Sequence, residues 1–443
     1  MNPEVLILLF MFAGLLVLNV PIAICIGLAT VATLASLGEV PTAYVVAQRL
    51  SSGVSSFPLL AIPFFILAGF LMGEGGMARR VMGFAASLVG KSAGGLAYVN
   101  TLSCMLFGAV SGSAAAAVSS IGGFMIPQME QKGFKREFAV ALTACSATTG
   151  LLIPPSNIMI VFAVVSGNVS VAALFLAGVV PGLVVGFALM VTSFLVLRRK
   201  NTADRGAASA AGGPAGGTVP IHVPIGKALV DALPSLALMV IVLGGILGGI
   251  FSPTEASAVA VAYCLIMSLA VYREITWAKL PNILLRSAQT TAVVMFLVGT
   301  SQAMSWVLAF EQVPQMVSAA LLELSSNPLM ILLLINVLLL VVGTFMDMTP
   351  AVLIFTPIFL PVVVELGMDP VHFGIVMIAN LCIGLCTPPV GTCLFVGCSV
   401  GKTTLARVVP SAIPYFIAMA IALLLITYVP AISLALPRLF GLM

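Results

Sequence analysis

Gly150-Leu-Leu-Ile-Pro-Pro155 and Gly384-Leu-Cys-Thr-Pro-Pro389 are one phrase written twice, 234 residues apart. The same offset, followed outward, pairs Pro127 with Pro361, Gly133 with Gly367 and Gly167 with Gly401. The chain therefore reads as an internal duplication, with a first repeat over 1–199 and a second over 227–443. Between them lies a linker, 200–226, rich in Ala and Gly over 200–220. In each repeat the paired prolines interrupt an apolar segment, 137–167 and 370–401. Proline lacks the backbone N–H and clashes with the preceding turn, so both segments are expected to be broken helices.

Of the 443 residues, 61% are hydrophobic and only 7% are charged, with a mean hydropathy of +1.23. Soluble domains carry about 25% charged residues, so a bilayer must be the solvent for most of this chain. The longest polar stretch, 198–227, leaves no room for a soluble domain. A net charge of +4, without a basic stripe interleaved with aromatics, gives nucleic acid no footprint. All eight cysteines lie in apolar segments. Cys382 and Cys386 have helical spacing but no histidine companion, and are read as small packing residues. The N-terminus has Glu4 as its only charge and no basic leader, so it is expected to stay as membrane helix.

Apolar segments fall at 4–20, 21–37, 54–73, 94–129, 137–167, 171–197, 228–250, 254–272, 285–309, 328–365, 370–401 and 409–437. Asn19-Val20-Pro21 divides the first two, although 4–37 could equally be one helix. Two segments, about 94–130 and 328–366, are too long for one span, and each carries a small, polar centre. The centres are Gly108-Ala-Val-Ser-Gly-Ser113 and Gly343-Thr-Phe-Met-Asp-Met-Thr-Pro350. Arms of about 15 residues make roughly 22 Å of helix, short of a hydrocarbon core of about 30 Å. Both are therefore expected to be re-entrant hairpins. Segments after Gly73 and Phe310 are amphipathic and are expected to lie along the surface as arms.

The charges agree with this count. Hairpins that return to their own side leave five crossings per repeat. With Arg198-Arg199-Lys200 in the cytoplasm, every basic residue except Arg49 and Arg438 falls on the cytoplasmic side, Arg286 included. An odd number of crossings inverts one repeat relative to the other. The expected fold is thus an all-α polytopic membrane protein of inverted repeats, with re-entrant hairpins and broken helices, the mark of a secondary transporter.

Irregular backbone at membrane depth is tolerated only inside protein or along a cavity. The prolines release carbonyls around Leu151–Pro154 and Leu385–Pro388, and carbonyls beside hydroxyls suit a small hard cation such as sodium. Ser111, Ser113, Ser146, Ser156 and Asn157 offer oxygens in the first repeat; Thr349, Thr387 and Thr392 do so in the second. A plain proline kink is the bland alternative. Asp347 is the only acid placed near the midplane, and such a charge usually marks function, although a helix cap would also explain it. The hairpin tips begin helices whose N–H groups can hold a substrate carboxylate. No Lys or Arg is expected near that site. Polar residues of 143–157 and 380–392, Asn380 among them, would complete the pocket. Ser252-Pro-Thr-Glu-Ala256 reads as a helix start, with Glu255 structural. No HExxH motif and no midplane histidine is present, so an intramembrane enzyme is excluded.

Taken together, these stretches resemble the large permease subunit of TRAP transporters, the DctM-like family. The resemblance rests on Gly108–Ser113, Gly150–Ser156, Pro253–Ala256, Met346–Pro350 with Thr356-Pro357, and Asn380–Gly391, in order along the chain. It implies a sodium-coupled elevator carrier in a bacterial inner membrane, importing a C4-dicarboxylate, a sialic acid or a similar carboxylate. It implies two partners: a small four-helix membrane subunit, DctQ-like and expected as a separate chain, and a periplasmic substrate-binding protein, DctP-like. It also implies two sodium sites. One would use Ser111, Ser113 and the Leu152–Asn157 break, with Ile153; the other would use Gly343, Asp347, Thr349, Gly384 and Thr387. Some relatives carry an acid late in the first tip, where this chain has Ala114–Ala117. The competing reading is a stand-alone sodium/carboxylate symporter of the same architecture, needing no binding protein. A channel fits less well, because duplicated hairpins suit alternating access better than a continuous pore.

Overall fold

A computed structural model describes residues 3–18, 20–38, 41–89, 95–167, 169–203, 225–325 and 327–443. The linker expected over 200–226 falls outside these for 204–224, with Arg205 and His222; Asn19 and Lys91 also lie outside. The described residues form helices and turns, with no strand.

The first apolar stretch is two helices, α1 (Pro3–Val17) and α2 (Ile22–Leu37), packed on one another. Pro21, with its fixed φ of −54° and no N–H to give, ends the first and starts the second. Then come α3 (Thr42–Val54), α4 (Ala61–Glu74) and the strongly amphipathic α5 (Met77–Val89). The first hairpin is α6 (Gly95–Ser111) and α7 (Ala114–Gln131), whose arms pack together. The broken segment is α8 (Arg136–Thr149), a short 3-10 turn, and α9 (Asn157–Ser166) at 48° to it. The repeat closes with the 33-residue α10 (Val171–Ala203).

The second repeat follows the same order. α11 (Ile225–Leu247) and α12 (Pro253–Ile266) match α1 and α2. α13 (Leu280–Phe310) replaces both α3 and α4 with one unbroken rod, because no counterpart of Pro58 or Pro63 interrupts it. α14 (Val313–Leu324) is the amphipathic partner of α5. The hairpin α15 (Pro328–Phe345) and α16 (Met348–Glu365) precedes the broken pair α17 (Pro370–Gly384) and α18 (Thr392–Val400). α19 (Leu405–Tyr428) and α20 (Ala431–Leu439) complete the chain. Among the described residues, eight helices are long and apolar enough to cross a bilayer.

Two boundaries differ from the sequence reading. The hairpin arms have 17 or 18 residues, not about 15, because helix continues into the polar centres: α6 runs to Ser111, α15 to Phe345, and α16 starts at Met348. At about 27 Å for 18 residues, arm length alone does not make a hairpin re-entrant; the placement of the tips is what matters. Second, α13 starts at Leu280 with Pro281 in its first turn, not at 285. Arg286 therefore stands nearly two turns into the helix rather than at its start.

α8 and α17 are the central pillars, with Phe138–Thr149 and Val371–Gly384 buried throughout. Between helices in lipid there is little hydrophobic drive, so close packing of small residues and internal hydrogen bonds must hold them. Asn100 Nδ2 donates to Thr143 Oγ1 at 2.8 Å, joining α6 to α8. Asn380 Nδ2 donates to Asn336 O at 2.8 Å, joining α17 to α15. The two repeats also interlock: α7 packs on α18, and α16 packs on α9.

Candidate transport site

Two glycine contacts set the site. A Cβ added at Gly150 would stand 2.5 Å from the Gly108 Cα, so the end of α6 lies directly on the end of α8. A Cβ added at Gly384 would stand 2.6 Å from the Gly343 Cα, which places the end of α15 on the end of α17 in the same way. No residue larger than glycine allows either approach. Each contact brings two helix C-termini together, and C-termini carry partial negative charge and unpaired carbonyls. This is the chemistry a small cation needs.

The N-termini converge beside these contacts, on a space that Ser111, the last residue of α6, and Leu385, the residue after α17, also line. A cavity of about 470 Å³ is lined by Ala114, Asn157, Met348 and Thr392, the first residues of α7, α9, α16 and α18. Four positive helix ends thus face one space, the arrangement an anion needs. The second break is tied to its hairpin directly, since Gly391 N–H donates to Thr344 O at 3.3 Å. Across that break Cys393 N–H also donates to Leu385 O at 3.0 Å. The Pro154–Pro155 and Pro388–Pro389 bonds are both cis.

Of the residues singled out from the sequence, Ser111, Ser113, Asn157, Asp347, Thr349 and Thr392 line this cavity. Ser113 caps α7, its Oγ accepting from Ala116 N–H at 3.3 Å. Asp347 holds the corresponding position before α16 but makes no side-chain cap hydrogen bond. Asn157 Oδ1 and Ser156 Oγ are buried at the first break without a hydrogen-bond partner, an arrangement that asks for a further ligand. Gly343 and Gly384 form the second glycine contact, and Thr387 Oγ1 donates to Ile383 O at 2.7 Å beside it. Ile153 closes the first break against Gly182 of α10.

Others sit away from the cavity. The Leu152 carbonyl oxygen is packed against Gly178 of α10. Ser146 Oγ shares a hydrogen bond with Thr101 Oγ1 at 3.1 Å between α8 and α6. Asn380 Nδ2 donates to Asn336, while its Oδ1 is buried without a hydrogen-bond partner.

The opposite wall was not legible beforehand. It is built by Ile62, Ile66, Phe70 and Glu74 of α4 and by Arg286, Thr290 and Val294 of α13. The first hairpin touches this wall at Gly69, where an added Cβ would come 2.9 Å from the Ser111 Cα. Arg286 corrects the expectation of a site without a basic side chain. The advance signal was the i, i+4, i+8 spacing of Arg286, Thr290 and Val294, which shows one helix face but not that this face meets the hairpin tips.

Among known proteins, residues 9–432 match the family "Tripartite ATP-independent periplasmic transporter, DctM component". The chain is 41% identical over 395 residues to the C4-dicarboxylate TRAP transporter large permease protein DctM of Pseudomonas aeruginosa, covering 89% of this chain and 90% of that one. It is 40% identical over 427 residues to the isethionate TRAP transporter permease protein DctMQ of Oleidesulfovibrio alaskensis, covering 96% of this chain and 65% of the relative. In fold it is similar to the YdaH transporter of Alcanivorax borkumensis, at a TM-score of 0.62 and 14% identity over 86% of each chain. Family match, hairpin pair and cavity agree: the chain belongs to the DctM family, the large permease subunits of TRAP transporters.

Proposed function

We propose that the chain carries an organic acid inward across the bacterial inner membrane, driven by sodium and fed by a periplasmic substrate-binding protein. The observation that carries this reading is the gathering of both kinds of helix end at one place. Four N-termini face one cavity, which suits a carboxylate or sulfonate, while C-termini meet in pairs at Gly108/Gly150 and Gly343/Gly384, which suits sodium. The cavity volume lies within the range of small-molecule sites, about 300–1,000 Å³.

In this reading the first sodium site draws on Ser111, Ser113, Asn157 and the backbone of the first break. The second draws on Gly343, Asp347, Thr349, Gly384 and Thr387. Substrate meets Ser113, Asn157, Thr349 and Thr392. The repeats are inverted about a bilayer midplane, the hairpins are re-entrant, and hairpins with broken helices move as one body against α4 and α13. The interlocking of α7 with α18 and α16 with α9 supports such a body, because it ties the two hairpins through the broken helices. A small DctQ-like membrane subunit completes the scaffold. The relative named DctMQ, of which this chain spans about two thirds, supports that pairing. The chain is a carrier and not an enzyme.

The test is uptake of labelled succinate and isethionate into proteoliposomes holding the chain and its small subunit. Uptake is measured with and without the binding protein, and with and without an inward sodium gradient. Dependence on both supports the three-part carrier. Sodium-driven uptake that ignores the binding protein would favour the stand-alone symporter.

A further inference from the structure

The wall facing the hairpin tips has one charged pair. Arg286 Nη1 donates to Glu74 Oε1 at 2.6 Å, with the two side chains 51% and 39% exposed. The Arg286 guanidinium also lies over the Phe70 ring, 5.1 Å from its centroid. Both partners line the cavity, and Arg286 is the one basic side chain among the described lining residues.

The pair is poorly placed to be a mere clamp. α4 and α13 already pack against each other, and a partly exposed ion pair adds little to such a contact. Its placement suits ligand exchange instead. A guanidinium held over an aromatic ring presents a fork of donors to an incoming oxyanion. Glu74 Oε1 is a built-in competitor for that fork. Gly69, where the Ser111 backbone touches, lies about 7.5 Å up α4 from Glu74; Phe107 reaches Gly73, the residue just before Glu74. Substrate leaving the hairpin tips along α4 therefore meets Arg286 next. Sequence charge places this end of the cavity at the cytoplasm.

We infer that Arg286 is an anion station at the cytoplasmic mouth, where a substrate carboxylate or sulfonate displaces Glu74 and is expelled when Glu74 returns. This rests on the organic-acid reading above. The station is a property of one face only, so its test must address that face.

The complete transporter is reconstituted with its small subunit, and binding protein is supplied outside only. That selects molecules whose cytoplasmic face meets the lumen. Vesicles are preloaded with graded succinate, and the luminal concentration that changes labelled succinate uptake by half is read. E74Q should lower that concentration about fivefold, because the guanidinium loses its competitor. R286Q should raise it about tenfold, and R286K should recover part of the loss. Raised salt should blunt all three effects. Unchanged luminal half-effect concentrations in E74Q and R286Q, with normal wild-type uptake, would overturn the station but leave the carrier standing. Equal shifts for external and luminal succinate would overturn it too, as would a loss of melting temperature alone. A wild-type protein that moves neither succinate nor isethionate would overturn the organic-acid reading itself.

Discussion

Gly384 lies so close on Gly343 that the two backbones meet where a side chain would begin. Gly150 repeats the contact on Gly108 in the other half of the chain. These two contacts decide which helix ends come together, and they are the least forgiving positions in the site.

Gly384→Ala and Gly150→Ala should each destabilise the protein by about 1–3 kcal/mol, the usual cost of overpacking, and should abolish sodium-dependent uptake. The control is Gly14, in the interior of α1 with nothing near its missing side chain. There alanine should be neutral or stabilising by up to about 1 kcal/mol. Melting temperatures of the purified variants check this. A Gly384→Ala protein as stable and active as Gly14→Ala would refute the close contact.

Asp347→Asn should raise the sodium concentration for half-maximal uptake about tenfold or more, with little change in melting temperature. The reasoning is the contrast with Ser113, which caps its helix while Asp347 makes no side-chain cap bond. A carboxylate that lines the cavity and lacks the cap bond Ser113 makes is available to a cation. Unchanged sodium dependence, with a clear loss of stability, would return Asp347 to a structural role.

Asn157→Ala should depress uptake while leaving stability unchanged or slightly raised. Asn157 Oδ1 is buried and unpartnered, and a buried acceptor left unpaired costs about 1–3 kcal/mol. Gly112→Ala should be worse on both counts. Gly112 has φ +61°, and an added Cβ would come 2.5 Å from Asn157 Nδ2. Paired uptake and melting measurements separate the two variants. A large loss of stability in Asn157→Ala would sink the ligand reading.

Ser252→Ala should cost about 0.5–2 kcal/mol and leave the sodium and substrate dependences alone. Ser252 and Glu255 form a closed capping box at the start of α12: Glu255 N–H donates to Ser252 Oγ at 3.3 Å, and Ser252 N–H donates to Glu255 Oε2 at 2.8 Å. An altered substrate half-saturation in this variant would give Glu255 a role beyond the cap.

Much of this was legible in order along the chain. The prolines at 154–155 and 388–389 announce the broken helices because proline acts locally. The small, polar centres near Gly112 and Asp347 announce the hairpin tips for the same reason. What stayed hidden depends on distance in space. Ser146 and Asn380 are polar and near the breaks in sequence, yet Ser146 Oγ and Asn380 Nδ2 each bond a neighbouring helix, and neither residue lines the cavity. Nothing in a one-dimensional pattern says which face of α8 or α17 a side chain takes when every face is buried.

The sequence by itself determined that this is a duplicated, all-helical membrane protein with two interrupted hairpins and two broken helices. Composition, proline chemistry and periodicity are local properties, and they suffice for that. Only the tertiary structure decided that four helix N-termini share one cavity, that paired C-termini meet at glycines, and that Arg286 and Glu74 stand on its far wall. Those facts join residues up to 278 positions apart, Ala114 and Thr392, and proximity at that separation arises from how whole helices pack, not from anything their own neighbours in the chain specify.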